Sequence, residues 1–165
     1  MASGLSARLR KALAPVIGIR TDRKLMYRLN DAFRAWLRRT ITENTMPPDN
    51  IPSLEGFCFY GKPVNSYFTG LVLAERKADG FSLDISPLVQ DTMPANDKPV
   101  AITVTGISCD LENKAETKVY ETRVSMDAGV EQKIDLALDR REGCISVLVM
   151  SVNKLAVGIL AASLD

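Results

Sequence analysis

The sequence predicts a mainly β protein: an antiparallel, jelly-roll-like β-sandwich of seven or eight strands, preceded by an amphipathic helical arm. Three observations carry that expectation. Ahead of Pro47, apolar residues recur at helical spacing. Beyond Pro52 they fall into short runs, several alternating with period two. Turn residues separate those runs: Asp79-Gly80, Ala95-Asn96-Asp97, Glu112-Asn113, Asp127-Ala128-Gly129 and Glu142-Gly143.

The first element is a short helix capped by Ser3 and reaching about Leu13, with Leu5, Leu9, Ala12 and Leu13 on one stripe. Arg8, Arg10 and Lys11 lie partly off that stripe, and Pro15 and Gly18 should break the run. A second, stronger helix follows over 22–42, with Thr21 or Asp22 as its cap. At 100° per residue, Leu25, Leu29, Ala32, Phe33, Trp36, Leu37 and Ile41 fall on one half. Lys24, Arg28, Asp31, Arg34, Arg38 and Arg39 fall on the other, giving one apolar face and a basic back. Three prolines in 46–52 end the helix and form a stiff linker, because proline lacks a donor and restrains its predecessor. The organisation is thus an arm at 1–45, a linker at 46–52 and a sandwich at 53–165.

Strands are expected at 55–60, 67–74, 81–85, 100–109, 118–126, 131–138, 144–152 and 155–162. The runs 100–109, 118–126 and 144–152 should be central, and Val152-Asn153-Lys154-Leu155 reads as a tight hairpin. At 165 residues, 46% apolar and 25% charged, the chain suits one globular domain with its own core.

Charge is split along the chain. The first 43 residues carry ten Lys/Arg against three Asp/Glu, and the remainder carries eleven against seventeen. A total of +1 therefore conceals an arm of net +7 and a body of net −6, which points to a contact role.

The chemical inventory argues against an enzyme. There is no histidine, so the usual neutral-pH base, histidine triads and histidine metal sites are excluded. Cys58, Cys109 and Cys144 form no CxxC and cannot supply a four-cysteine metal site; their odd number in apolar runs suits buried thiols in a reducing compartment. No phosphate loop or dinucleotide fingerprint occurs. Asp79, Asp84, Asp91, Asp97 and Asp110 gather near loops without calcium-loop spacing. No cofactor and no metal are expected. Tyr60, Lys62, Asn65 and Tyr67, around Gly61 and Pro63, form a candidate pocket or partner patch, although a structured turn with Tyr60 and Tyr67 half buried is the favoured reading. Neither a signal peptide nor a bilayer-spanning run is evident, so a virion or cytoplasmic location is expected.

The functional expectation is a non-catalytic assembly protein that oligomerises through its N-terminal helix, as a component of a virus or phage particle. Leu29, Phe33, Trp36 and Leu37 form the contact face, and Arg28, Arg34, Arg38 and Arg39 meet an anionic partner. The alternatives are a cytosolic β-sandwich adaptor, or a nucleic-acid contact made by the basic arm. A membrane surface is disfavoured, because the acidic body would be repelled by anionic lipid. The prolines and the opposed charges predict that the helix docks on a neighbouring copy. A chain lacking 1–45 should then fold but fail to assemble.

Overall fold

The computed structural model describes residues 2–17, 23–43, 51, 54–59, 72–85, 102–110, 117–124, 132–138, 143–152 and 155–164. The helical spacing of the arm is realised as two helices, α1 (Ala2–Ile17) and α2 (Arg23–Glu43). The expected bounds of α2 are met within a residue. Helix α1 instead continues through Pro15, which sits in its last turn, where its missing N–H costs a single hydrogen bond. Seven strands follow among the described residues: β1 (Val72–Lys77), β2 (Gly80–Ile85), β3 (Ile102–Asp110), β4 (Thr117–Val124), β5 (Gln132–Ala137), β6 (Cys144–Val152) and β7 (Leu155–Leu164).

The strands form two antiparallel sheets, ordered β1-β2-β5 and β4-β3-β6-β7. The expected β-rich body behind N-terminal helices is present; a jelly roll has eight strands in two Greek keys, and the seven described strands do not establish that arrangement. Their order is closer to an immunoglobulin-type sandwich: strands one, two and five share one sheet, and three, six and seven the other. The fourth strand lies at the edge beside the third, so β4 is not the central strand that its alternation suggests. The tight hairpin is present as the pairing of Val152 with Leu155.

Packing creates three layers. Between the sheets lie Phe81, Leu83, Ile85, Ile102, Val104, Val124, Leu136, Leu148, Met150 and Val157. On the opposite face of the four-stranded sheet, Ile107, Ile145, Val147, Val149, Ala156, Ile159 and Ala162 share a second core with both helices. Strand β6 divides its side chains between them: Ile145, Val147 and Val149 face the helices, while Leu148, Met150 and Val152 face the other sheet. All nine of its residues are consequently buried.

Ile51 and residues 54–59 cover the outer edge of β7. Ile51 donates its N–H to Ala162 O at 3.0 Å, Gly56 to Ile159 O at 2.9 Å and Phe59 to Val157 O at 2.9 Å. Ile159 returns a bond to Phe57 O at 2.8 Å. The strand expected at 55–60 is thus a turn at Leu54–Gly56 and one isolated bridge, Cys58 to Gly158, against a bulged edge strand. An irregular cover of this kind blocks edge-to-edge pairing.

One glycine is dictated by close approach. Gly80 has φ +154°, and a Cβ there would lie 1.9 Å from Leu136 O on the neighbouring strand. Asp79 O in the same turn accepts the Leu138 N–H at 2.9 Å, which ties the β1–β2 hairpin to the end of β5.

Candidate interaction surface on the helical layer

The apolar stripe of α2 is consumed inside the chain. Leu29 and Phe33 are 1% and 0% exposed, Trp36 is 6% exposed, and Leu37 packs partly buried against the same cluster. Phe33 and Trp36 meet edge to face, with ring centroids 6.3 Å apart at 69°. Leu9, Ala12 and Leu13 of α1 complete the helical side of this core, and Ile51, Leu54 and Phe59 close its margin. The expected docking on a neighbouring copy is therefore not what the structure displays. Ile51, near the end of the expected linker, is itself buried in the helices' core and bonded to β7; the rest of that linker lies outside the described residues.

Outside that core, the helical layer presents cations. Arg8 and Lys11 of α1 and Lys24, Arg28, Arg34, Arg38 and Arg39 of α2 are exposed, and Asp31 is the only exposed acid among the helical side chains described. Asp31 sits beside Arg34 at 3.5 Å, with both side chains more than half exposed, so their pairing contributes little. Tyr27 is the large apolar side chain on this face, at 61% exposed.

Arg28 departs from its expected role as a partner contact. Its guanidinium donates from Nη1 to Cys58 O and from Nη2 to Phe59 O, both at 2.8 Å. It also lies 5.3 Å from the centroid of the Phe57 ring. Only the planar fork of arginine reaches two successive carbonyls while stacking on an aromatic ring. Arg28 thereby fastens α2 to the strip that covers β7. Nothing in the sequence pattern distinguishes it from the other arginines on the helix back, because its partners are main-chain oxygens. Arg28→Ala should lower stability by about 1–2 kcal/mol, read from the urea midpoint. Arg28→Lys should recover only part of the loss. An unchanged midpoint in both would remove the clamp from the account.

Cys58, Cys109 and Cys144 form no disulfide. Burial, followed by the neighbouring Cys144 and Asp110, pushes the Cys109 thiol above its ordinary range, and Arg8 opposes this less strongly. A thiol held protonated is a poor nucleophile and packs as a small hydrophobe. Tyr60, Lys62, Asn65 and Tyr67 lie outside the described residues, as do Asp91 and Asp97. Among the described residues, no three His, Cys, Asp or Glu side chains gather to hold a metal ion. No described helix is long and apolar enough to cross a membrane. On the outer side of the three-stranded sheet, Lys77 and Asp135 pair at 3.3 Å, giving that face a mixed charge.

Comparison with family models, with curated proteins and with solved structures finds no match to this chain.

Proposed function

We propose that this chain is a non-catalytic structural module of a larger assembly, and that the outer face of its two helices is the working surface. The observation that carries this reading is the pairing of a buried apolar stripe with an exposed, mostly cationic remainder: Arg8, Lys11, Lys24, Arg34, Arg38 and Arg39 are exposed, with Asp31 the one exposed acid among the helical side chains described. A cationic field on a rigid helical layer favours encounter with an anionic surface and orients it. Association between copies follows the same logic, since the chain beyond residue 43 carries an excess of six negative charges. A many-copy particle, such as that of a virus or phage, is the setting we favour, because weak pairs at single contacts add up when the contact is repeated.

The test is sedimentation velocity of the full chain at micromolar concentration, in low and in high salt. Association should appear at low salt and dissolve at about 0.5 M, where screening lengths fall to a few ångströms. The triple variant Arg34→Glu, Arg38→Glu, Arg39→Glu should remain monomeric throughout. A native chain that sediments as a monomer under every condition sinks the self-assembly reading.

A further inference from the structure

The two long edges of the four-stranded sheet differ. Outside β7, Ile51 and residues 54–59 supply an irregular cover. Outside β4, none of the described residues adds a strand. A free edge offers a row of main-chain donors and acceptors to another strand, and proteins blunt such edges with prolines, bulges or charges. Thr117–Val124 has no proline and pairs with β3 in unbroken register. It does carry charges, and their order suits one particular partner, a second β4.

Two copies of β4 paired antiparallel are related by a two-fold axis normal to the sheet. Opposed residues then share a face, so each meets a residue of its own parity. With Thr122 opposite its own copy, Glu121 meets Arg123 and Arg123 meets Glu121. Tyr120 meets Val124 on the other face, and Val124 meets Tyr120. Thr–Thr, opposite-charge and aromatic–β-branched neighbours are the cross-strand types that stabilise a sheet. Moving the centre by one residue sets Glu121 against Glu121, or Arg123 against Arg123, which is unfavourable. The pattern therefore selects its own register. Glu121 and Arg123 are exposed, and neither has an ion-pair partner among the described residues. Tyr120 and Val124 lie against the core between the sheets.

The edges of the three-stranded sheet are less suited. On β1, pairing Glu75 with Lys77 sets Arg76 against Arg76. On β5, Asp135 already holds Lys77 at 3.3 Å.

We infer that β4 is a self-complementary docking edge, and that two copies of this chain join by antiparallel β4–β4 pairing centred on Thr122. The contact joins two four-stranded sheets into one of eight strands. Being isologous, it closes at the dimer. It uses no residue of the helical face and stands independently of that reading. A short strand pair is marginal in water, so the dissociation constant should be on the order of 0.1–1 mM. At lower concentration the pairing forms where another contact already holds two copies together.

The experiment is sedimentation equilibrium of the full chain up to about 0.5 mM, in about 0.5 M salt, where contacts of the helical face are screened. The native chain should show a monomer–dimer equilibrium, and amide exchange in β4 should slow as concentration rises. Glu121→Arg alone, or Arg123→Glu alone, sets like charges opposite each other twice and should weaken dimerisation at least about threefold. The double variant restores both pairs and should recover the native constant. An equimolar mixture of the two single variants should recover it as well, as a heterodimer. Lys133→Glu on β5 should change nothing, and circular dichroism of each variant checks that the fold is kept. A native chain that stays monomeric overturns the inference. So do single variants that dimerise like the native chain, a mixture that fails to recover, or slowed exchange on β5 in place of β4. Low-salt association at micromolar concentration that persists in Glu121→Arg leaves the helical-face reading standing, whichever way the β4 result falls.

Discussion

A chain lacking residues 1–43 should fail to reach a cooperative fold. Removing the helices exposes Ile107, Ile145, Val147, Val149, Ala156, Ile159 and Ala162 together, on the outer side of a sheet whose inner side is already apolar. Such a continuous surface aggregates or binds whatever it meets. The truncated chain should be insoluble, or bind a hydrophobic dye and unfold without a sharp transition. This reverses the expectation that an armless chain folds but does not assemble. A truncated chain that stays monomeric and unfolds cooperatively in urea would show that the helices are accessory.

Phe33→Ala should be the most damaging single truncation on the arm. The ring is fully buried in the cluster that α1, α2 and the four-stranded sheet share, and it touches Trp36 edge to face. Removing it leaves a cavity in the core that the helices share with the four-stranded sheet, which corresponds to about 3–5 kcal/mol. Phe33→Leu, which keeps most of the volume, should cost less than about 1.5 kcal/mol. Arg34→Ala, one residue along and exposed, should stay within about 0.5 kcal/mol of the native chain. These values are read from urea midpoints at constant slope. A Phe33→Ala loss as small as that of Arg34→Ala would mean that α2 does not share the core.

Much of the secondary structure was legible because its signals are local. Alternation in Ile102–Asp110, the turn at Asp79-Gly80 and the amphipathic stripe of α2 each lie within a few residues. The destination of that stripe was less plain, although one clue was present. A sandwich sheet that faces water on one side shows alternating apolar and polar residues. Cys144–Val152 does not: Ile145, Val147 and Val149 are as apolar as Leu148, Met150 and Val152. Two apolar rows on one strand mean two covered faces, and the other available apolar surface was the helical arm. The prolines near 47–52 argued the other way, through stiffness alone. They carry no information about Ile51, whose side chain and N–H fix the end of the linker.

The proposed interaction surface was legible by residue type and not by residue. The outward rank of Arg34, Arg38 and Arg39 follows from helical winding, and the structure leaves all three exposed. Arg28 shares that winding but is turned onto Cys58 O and Phe59 O. Main-chain acceptors leave no trace in a hydropathy pattern, so no periodicity separates a clamp from a contact. The edge position of β4 was likewise hidden, because pairing order depends on non-local choices that alternation does not encode.

The route by which the helical layer meets its sheet has a consequence for synthesis. Phe33 and Trp36 leave the ribosome roughly a hundred residues before the β6 and β7 residues that share their core. At about 5–20 residues per second, that gap lasts on the order of 5–20 s. Throughout it, an amphipathic hairpin waits with its apolar stripe open to chaperones or to another nascent chain. Contacts so distant in sequence also make the closing step slow relative to helix formation. On a crowded polysome a sheet of an older neighbour could reach a waiting stripe first, so any exchange of helices between copies would depend on translation timing as well as on the stability of the finished protein.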